Sequence, residues 1–158
     1  GDKTSTASYT NPVGVTGNFI VSVSITVLAV QHMDFMSALV AIGGTAGSDG
    51  NGSYVQFTGT TSRYLDSYIE SWLASATDEY SIFIKGMTTS GTSYMYGKMS
   101  NNVALTTIEI LNSMTYATQV VKTSGAYLSI FYIQPANRTL KIYGLQIRKT
   151  DNPPSWYI

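Results

Sequence analysis

The chain has no cysteine and a single histidine, His32, in 158 residues. Disulfides, thiolate-bound zinc and a cysteine nucleophile are excluded by composition, and serine-type catalysis has one imidazole to draw on as base. Charge is equally scarce. Nine Lys and Arg face nine Asp and Glu, 11% of the chain with zero net charge, whereas soluble domains average about 25% charged residues. The basic residues are scattered singly, and a protein that releases counterions from phosphates needs them grouped on one face. The composition therefore argues against nucleic-acid binding. Long apolar runs are missing too: residues 19–30 are interrupted by Ser22, Ser24 and Thr26 and fall short of the roughly 20 residues of a membrane helix, so a soluble chain without membrane insertion is expected. The chain opens at Gly1 without a basic-then-apolar leader, which suggests a module of a larger protein.

What is present is alternation. In residues 19–28 the apolar side chains Phe19, Val21, Val23, Ile25 and Val27 hold the odd positions and hydroxyls hold most even ones, the pattern of a half-buried strand. The same reading predicts strands at 53–58, 64–74 (long or bulged), 80–85, 93–98, 105–111, 115–122, 126–133 and 138–149, with 36–42 following the first strand. Residues 80–85 and 93–98 flank Ser90-Gly91 and read as a hairpin. Residues 43–52 hold five glycines and read as a loop. A helix over 67–76, built on Tyr68, Trp72 and Leu73, is the competing reading of that stretch. Turn signals at Asn101-Asn102, Asn112-Ser113, Ser124-Gly125 and Pro135-Ala136-Asn137 complete the pattern. It predicts an all-β fold: an antiparallel β-sandwich of jelly-roll type with about ten strands. Residues 1–17 lack periodicity and read as a lead-in segment before a single domain at 18–158.

The closing strand, Thr139-Leu-Lys-Ile-Tyr-Gly-Leu-Gln-Ile-Arg-Lys149, followed by Asp151 and Trp156, resembles the last strand of lectin-like jelly rolls, both of the carbohydrate-binding-module type and of the concanavalin A-like, laminin-G-like type. Residues 94–98, Tyr-Met-Tyr-Gly-Lys, are similar to the Tyr-Val-Asn-Gly-Lys hairpin ending of the second type, departing from it at Met95 and Tyr96. Such domains occur in bacteriophage tail fibres and tailspikes. The resemblance implies an extracellular or virion location, cell-surface glycans as partners, and assembly as a homo-oligomer, a trimer above all.

Chemistry at named positions divides unevenly. His32 lies between Gln31 and Met33 at a strand end and reads as a partly exposed or core-edge imidazole. Glycoside hydrolysis needs two carboxyls facing across a sugar. The glucanase pattern Glu-x-Asp-x-x-Glu finds only Glu109 here, with Leu111 and Met114 at the other acid positions. Asp66 with Glu70, and Asp78 with Glu79, read as surface or turn acids. Asp49 and Asn51 alternate as calcium ligands do, and calcium is the one cofactor worth naming, but a lone carboxylate suits a plain loop better. Asn51-Gly-Ser and Asn137-Arg-Thr match a glycosylation pattern that arises often by chance.

Aromatics carry the positive signal. Twelve Tyr, five Phe and two Trp make up 12% of the chain, and a tyrosine joins a flat apolar face to a hydroxyl, which suits the C–H face and hydroxyls of a sugar. Most belong in the core and in cross-strand pairs, as in any sheet. Those near loops, Tyr54, Tyr64, Tyr68, Trp72, Tyr94 and Tyr96, are the candidate glycan-binding residues. Trp156 and Tyr157, after Pro153-Pro154, either fold back on the domain or meet a neighbouring subunit. Low charge fits recognition by stacking and hydrogen bonds, weak per site and strengthened by multivalency, with Met33, Met36, Met87, Met95, Met99 and Met114 able to serve contacts. The expected function is non-catalytic glycan recognition. The alternatives are a trimerisation or capping domain and, behind it, a polysaccharide hydrolase.

Overall fold

A computed structural model of the chain describes residues 3–5, 25–27, 32–70, 79–121, 126–149 and 153–157. The chain divides into two units, Gly1–Gln31 and His32–Ile158. In the first, β1 (Lys3–Ser5) pairs antiparallel with β2 (Ile25–Val27), Thr4 opposite Thr26. The rest of the strand predicted at 19–28 lies outside the described residues.

The second unit is a β-sandwich of jelly-roll type. Its elements in order are β3 (His32–Asp34), helix α1 (Met36–Ala41), β4 (Thr45–Asp49), β5 (Gly52–Phe57), β6 (Arg63–Tyr64), a 3-10 turn at Asp66–Tyr68, β7 (Tyr80–Thr88), β8 (Ser93–Met99), β9 (Ile108–Ile110), β10 (Thr115–Val120), β11 (Leu128–Gln134), β12 (Leu140–Lys149) and a 3-10 turn at Ser155–Tyr157. One sheet runs β10-β7-β12-β5-β4, and β3 also pairs with β12. The other runs β6-β11-β8-β9. Every strand pair among the described residues is antiparallel. From β5 onward the chain crosses repeatedly between sheets, so most strand pairs in each sheet join segments distant in sequence.

Alternation builds the core. Ile82 and Ile84 of β7, Met95 of β8, Ile110 of β9, Ile133 of β11 and Leu140 of β12 are all buried between the sheets, each contributing roughly 1.5–3 kcal/mol of apolar transfer. Two strands change parity midway. In β12 the side chains in the core cluster are Leu140 and Ile142, then Leu145 and Ile147, and the register shifts between Ile142 and Gly144. In β11 they are Leu128, then Phe131 and Ile133, and the register shifts between Leu128 and Ile130. A bulge adds one residue to a strand, and only such an extra residue keeps both halves of a parity-switched strand facing the core.

Four expectations change. Residues 80–98 do not form a hairpin: β7 and β8 lie in different sheets, and the turn between them is an arch tied by the Thr88 hydroxyl, which donates to the carbonyls of Ser90 and Gly91. The glycine-rich 43–52 is not a loop throughout. Thr45–Asp49 pairs with Gly52–Phe57, because Gly47 leaves room for the Tyr54 ring, whose atoms would stand 2.7 Å from a Cβ there. The strand predicted from residue 64 onward stops at once. Asp66 takes over the sheet edge, its Oδ1 accepting the Phe131 N–H at 2.5 Å, and the chain turns at Asp66–Tyr68. The helix considered over 67–76 does not continue from that turn, since Ile69 is already extended; residues 71–76 lie outside the described set. Finally, the strand predicted at 105–111 shortens to Ile108–Ile110.

Candidate functional site

The outer face of the four-stranded sheet carries a row of tyrosines that register makes unavoidable. Phe131 and Ile133 point into the core, so Tyr132 between them points out. It sits opposite Tyr64 of β6 on one side and Tyr96 of β8 on the other. Ring centroids are 5.0 Å apart for Tyr64 and Tyr132 and 4.9 Å for Tyr132 and Tyr96. Tyr94, two residues before Tyr96 and hence on the same face, is 6.0 Å from it. The Tyr132 and Tyr96 rings are stacked at 23° and the Tyr64 ring is tilted 36° to Tyr132. Tyr132 is thus flanked on both faces, while Tyr64, on the edge strand and 54% exposed, keeps an open face.

Beside this row lies a cleft of about 370 Å³, lined by Tyr64, Tyr132 and Tyr96 together with Gly97, Lys98, Ala104, Leu105, Thr107 and Ile130. Gly97 shapes it. A Cβ there would stand 2.7 Å from Leu105 Cδ1, and the Leu105 N–H donates to the Gly97 carbonyl at 2.9 Å, so the absent side chain lets the segment after β8 fold down against the strand. Lys98 is opposite Ile130 across β11. The Tyr96 hydroxyl is pushed above its ordinary pKa by partial burial first, and then by the neighbouring phenols of Tyr132 and Tyr94, so this hydroxyl keeps its proton and can donate a hydrogen bond.

The sequence-derived candidates separate. Tyr64, Tyr94 and Tyr96 come together. Tyr68 lies exposed on the 3-10 turn, and Trp72 lies outside the described residues. Tyr54 belongs to the other sheet, where its ring packs edge-on against Tyr143 at 5.6 Å and beneath the Lys141 ammonium at 4.3 Å. Sequence reasoning missed Tyr132, Lys98, Leu105 and Thr107. Tyr132 was findable, because it alternates with Phe131 and Ile133; the others depend on pairing that a single sequence does not display.

Asp49 is wholly engaged. Its Oδ2 accepts from Lys141 Nζ at 2.7 Å and the Tyr143 hydroxyl at 2.8 Å, and its Oδ1 from the Asn51 N–H at 2.9 Å. These bonds, Lys141 foremost, hold its carboxyl down to about 2. A calcium site gathers six to eight oxygen acceptors; here the donors around the single carboxylate are an ammonium, a hydroxyl and an amide. Among the described residues no three of His, Cys, Asp and Glu stand together. Asp66 serves the sheet edge, Glu109 is exposed on β9 opposite Tyr94, and His32 is exposed at the start of β3. Asp78 lies outside the described residues. Trp156 and Tyr157 fold back onto the six-stranded sheet: the Tyr157 ring meets Phe83 at 5.0 Å, its hydroxyl pairs with Thr118, and the Trp156 indole covers Gly144. No helix among the described residues is long and apolar enough to cross a membrane.

No family model matches the sequence, and no curated protein matches it. Solved structures do. The chain is similar to the crystal structure of the CBM22-1 and GH10 modules of Clostridium thermocellum endo-1,4-β-D-xylanase 10B complexed with xylohexaose, at 8% identity over 70% of this chain and with a TM-score of 0.45. It spans 25% of that structure's length. It is also similar to the CBM22-1 xylan-binding domain of Paenibacillus barcinonensis Xyn10C, at 11% identity over 67% of this chain and 81% of the other, with a TM-score of 0.41. At such identities no residue role transfers from either structure to this chain.

Proposed function

We propose that this chain is a non-catalytic carbohydrate-binding module, and that the Tyr64–Tyr132–Tyr96 row with its adjoining cleft is its glycan site. The supporting observation is the placement of three rings, in register, on a solvent face beside a concavity. A row of rings serving stability alone would gain by covering its end member, yet Tyr64 stays more than half exposed against the usual pressure to hide large apolar surface. The open face of Tyr64 suits stacking on a pyranose C–H face. The hydroxyls of Tyr96 and Tyr132 and of Thr107 supply donors and acceptors for sugar hydroxyls. Tyr132, flanked on both faces, acts as the support that holds the other two rings upright.

The setting that belongs to this proposal is an extracellular or virion protein, such as a tail fibre, displaying the module toward cell-surface glycans. Several copies would turn weak single-site binding into avidity.

The test is a glycan array followed by NMR titration of the best ligand against the intact chain and against Tyr64→Ala and Tyr96→Ala. Shift changes confined to β6, β8 and β11, and roughly tenfold weaker binding by each variant, equal to about 1.4 kcal/mol, are the expected result. Binding that both variants leave intact would remove the site from this face.

A second reading, self-association, draws on β10. This edge strand, Thr115-Tyr-Ala-Thr-Gln-Val120, holds no charge and no proline, the devices that usually blunt an edge. Light scattering on a sizing column decides it: a concentration-independent oligomer that Val120→Lys disperses supports it, and a monomer excludes it.

A further inference from the structure

We infer that the glycan bound at the tyrosine row carries an acidic group, a uronate carboxylate or a sulfate ester, and that Lys98 receives it. The inference rests on the reading of this face as a glycan site. Formal charge over the whole chain is zero, but the cleft is not neutral. Of its nine lining residues one is a cation, Lys98, and none is an acid. Two lysines of the six-stranded sheet are disposed differently. Lys141 is closed against Asp49 at 2.7 Å, and Lys85 lies against the rings of Tyr116 and Tyr143 at 5.6 and 5.8 Å. Among the described residues, Lys98 has no carboxylate partner.

Its surroundings strengthen it. Ile130, Leu105 and the tyrosine rings give the cleft low-dielectric walls, which raise the field a single charge exerts on a ligand. An ammonium donating to a carboxylate or sulfate oxygen makes a charge-assisted hydrogen bond, stronger than the bond it would make to a neutral hydroxyl. The face also has a direction. Glu109 is opposite Tyr94, and Tyr94 precedes Lys98 by four positions on β8, a separation of roughly 13 Å at strand rise. That exceeds the screening length of about 8 Å at physiological salt, so Glu109 does not cancel Lys98. It does repel an anionic group from the Tyr94 end, which orients an acidic saccharide with its charge toward Lys98.

The test compares saccharides of the same backbone and length, with the acidic groups intact in one member of each pair and esterified or removed in the other. The first pair is an oligogalacturonate hexamer and its fully methyl-esterified form; the second is a sulfated galactan hexamer and its desulfated form. Each is titrated calorimetrically into the intact chain, into Lys98→Gln and into Lys98→Arg, at low and at high sodium chloride. In at least one pair the charged member should bind about tenfold tighter, and which pair does so identifies carboxylate or sulfate. The advantage should vanish in Lys98→Gln and at high salt and persist in Lys98→Arg. Equal or tighter binding of both neutral members, or an advantage that survives Lys98→Gln, overturns the inference. These outcomes are separable from failure of the glycan reading. Neutral binding that is lost in Tyr64→Ala leaves that reading standing and removes only the charge, whereas no binding of any saccharide removes both.

Discussion

The two outer faces of the sandwich both carry tyrosines and lysines, and they use them in opposite ways. On the six-stranded sheet the chain is its own ligand. Trp156 and Tyr157 cover β7 and β12, Tyr54 and Tyr143 pack together, Lys141 is closed on Asp49 and Lys85 on two rings. As a result β12 is buried along most of its length on both sides. On the four-stranded sheet the same residue types are left facing solvent, with an open ring at one end and, beside the row, an ammonium that has no carboxylate partner among the described residues. Aromatic richness is therefore no guide to a binding face by itself. What separates the two faces is whether the chain already satisfies the groups it displays there.

Removing the cover gives the largest effect expected. A Cβ on Gly144 would stand 2.6 Å from the rigid Trp156 indole, so Gly144→Val should cost about 3 kcal/mol by overpacking, and Trp156→Ala about 2 kcal/mol by loss of buried ring area. The two changes meet at one contact, and the double variant should therefore be more stable than the sum of the singles implies. Urea unfolding measures all three. Glycan binding should be unchanged in Trp156→Ala; if it falls as far as stability does, the two faces are not independent.

Tyr132→Ala is the counterpart on the open face and ranks next. It removes two ring pairs, each worth about 0.5–1.5 kcal/mol, and should lower stability by about 2 kcal/mol while also abolishing binding, since both neighbours lose their support. Tyr132→Phe keeps the rings and should retain stability within about 0.5 kcal/mol. Binding loss in the Phe variant would show that the Tyr132 hydroxyl touches the sugar and that the ring is more than a prop.

The division between these faces was only half visible in the sequence. Alternation placed β5, β7, β8, β10, β11 and β12 within a few residues, because a half-buried strand must alternate. Even the bulge in β12 can be read in the step from Leu140 and Ile142 to Leu145 and Ile147. The glycine-rich β4 was hidden because its pairing depends on how Gly47 meets Tyr54, not on side chains of its own. The arch at Thr88–Gly91 looked like a hairpin because a short turn between two alternating segments carries no mark of which sheet each joins. For the same reason Tyr54 and Tyr96 looked equivalent: both are tyrosines near turns, and only strand order sends one to a self-satisfied face and the other to an open one. Lys98 gave no signal in isolation. Its meaning comes from Ile130, which is distant in sequence, and from Leu105, which only the absent side chain of Gly97 lets fold back against the strand.

Alkaline unfolding samples both faces together. The Tyr96, Tyr143 and Lys141 protons are all held more tightly than usual, Tyr96 and Tyr143 chiefly through burial and Lys141 chiefly through its hydrogen bond to Asp49. A group whose folded pKa is raised keeps its proton after the unfolded chain has lost it, so its stabilisation is complete below the unfolded value and is lost as pH rises through the folded one. Stability should thus fall above the ordinary tyrosine value of 10.0. Phenolate absorbance should show Tyr96 ionising above the ordinary tyrosine value of 10.0, and saturating glycan should delay Tyr96 further while leaving Tyr143 where it was. A ligand that delays Tyr143 instead would move the site to the six-stranded sheet.

The smallest effect belongs to the acid limb, and it is confined to the closed face. Asp49 is lowered from an ordinary 3.8 to about 2, mainly by the hydrogen bond from Lys141. A depressed carboxyl stabilises the fold above its unfolded value, and that contribution is lost as pH drops from 3.8 through about 2. The pair lies at the surface, where such bonds are screened and count for little. Asp49→Asn should therefore lower the urea midpoint slightly at neutral pH, by less in high salt, and the difference from the unaltered chain should close as pH approaches 2. It should leave glycan affinity untouched, because among the described residues the Asp49 network joins Lys141, Tyr143 and Asn51 and does not reach β8 or β11. A midpoint difference that persists below pH 2 would mean that Asn fails at the hydrogen bonds themselves, to Tyr143 and to the Asn51 amide, rather than at the charge. The β4–β5 turn would then be held by its geometry and not by its ion pair.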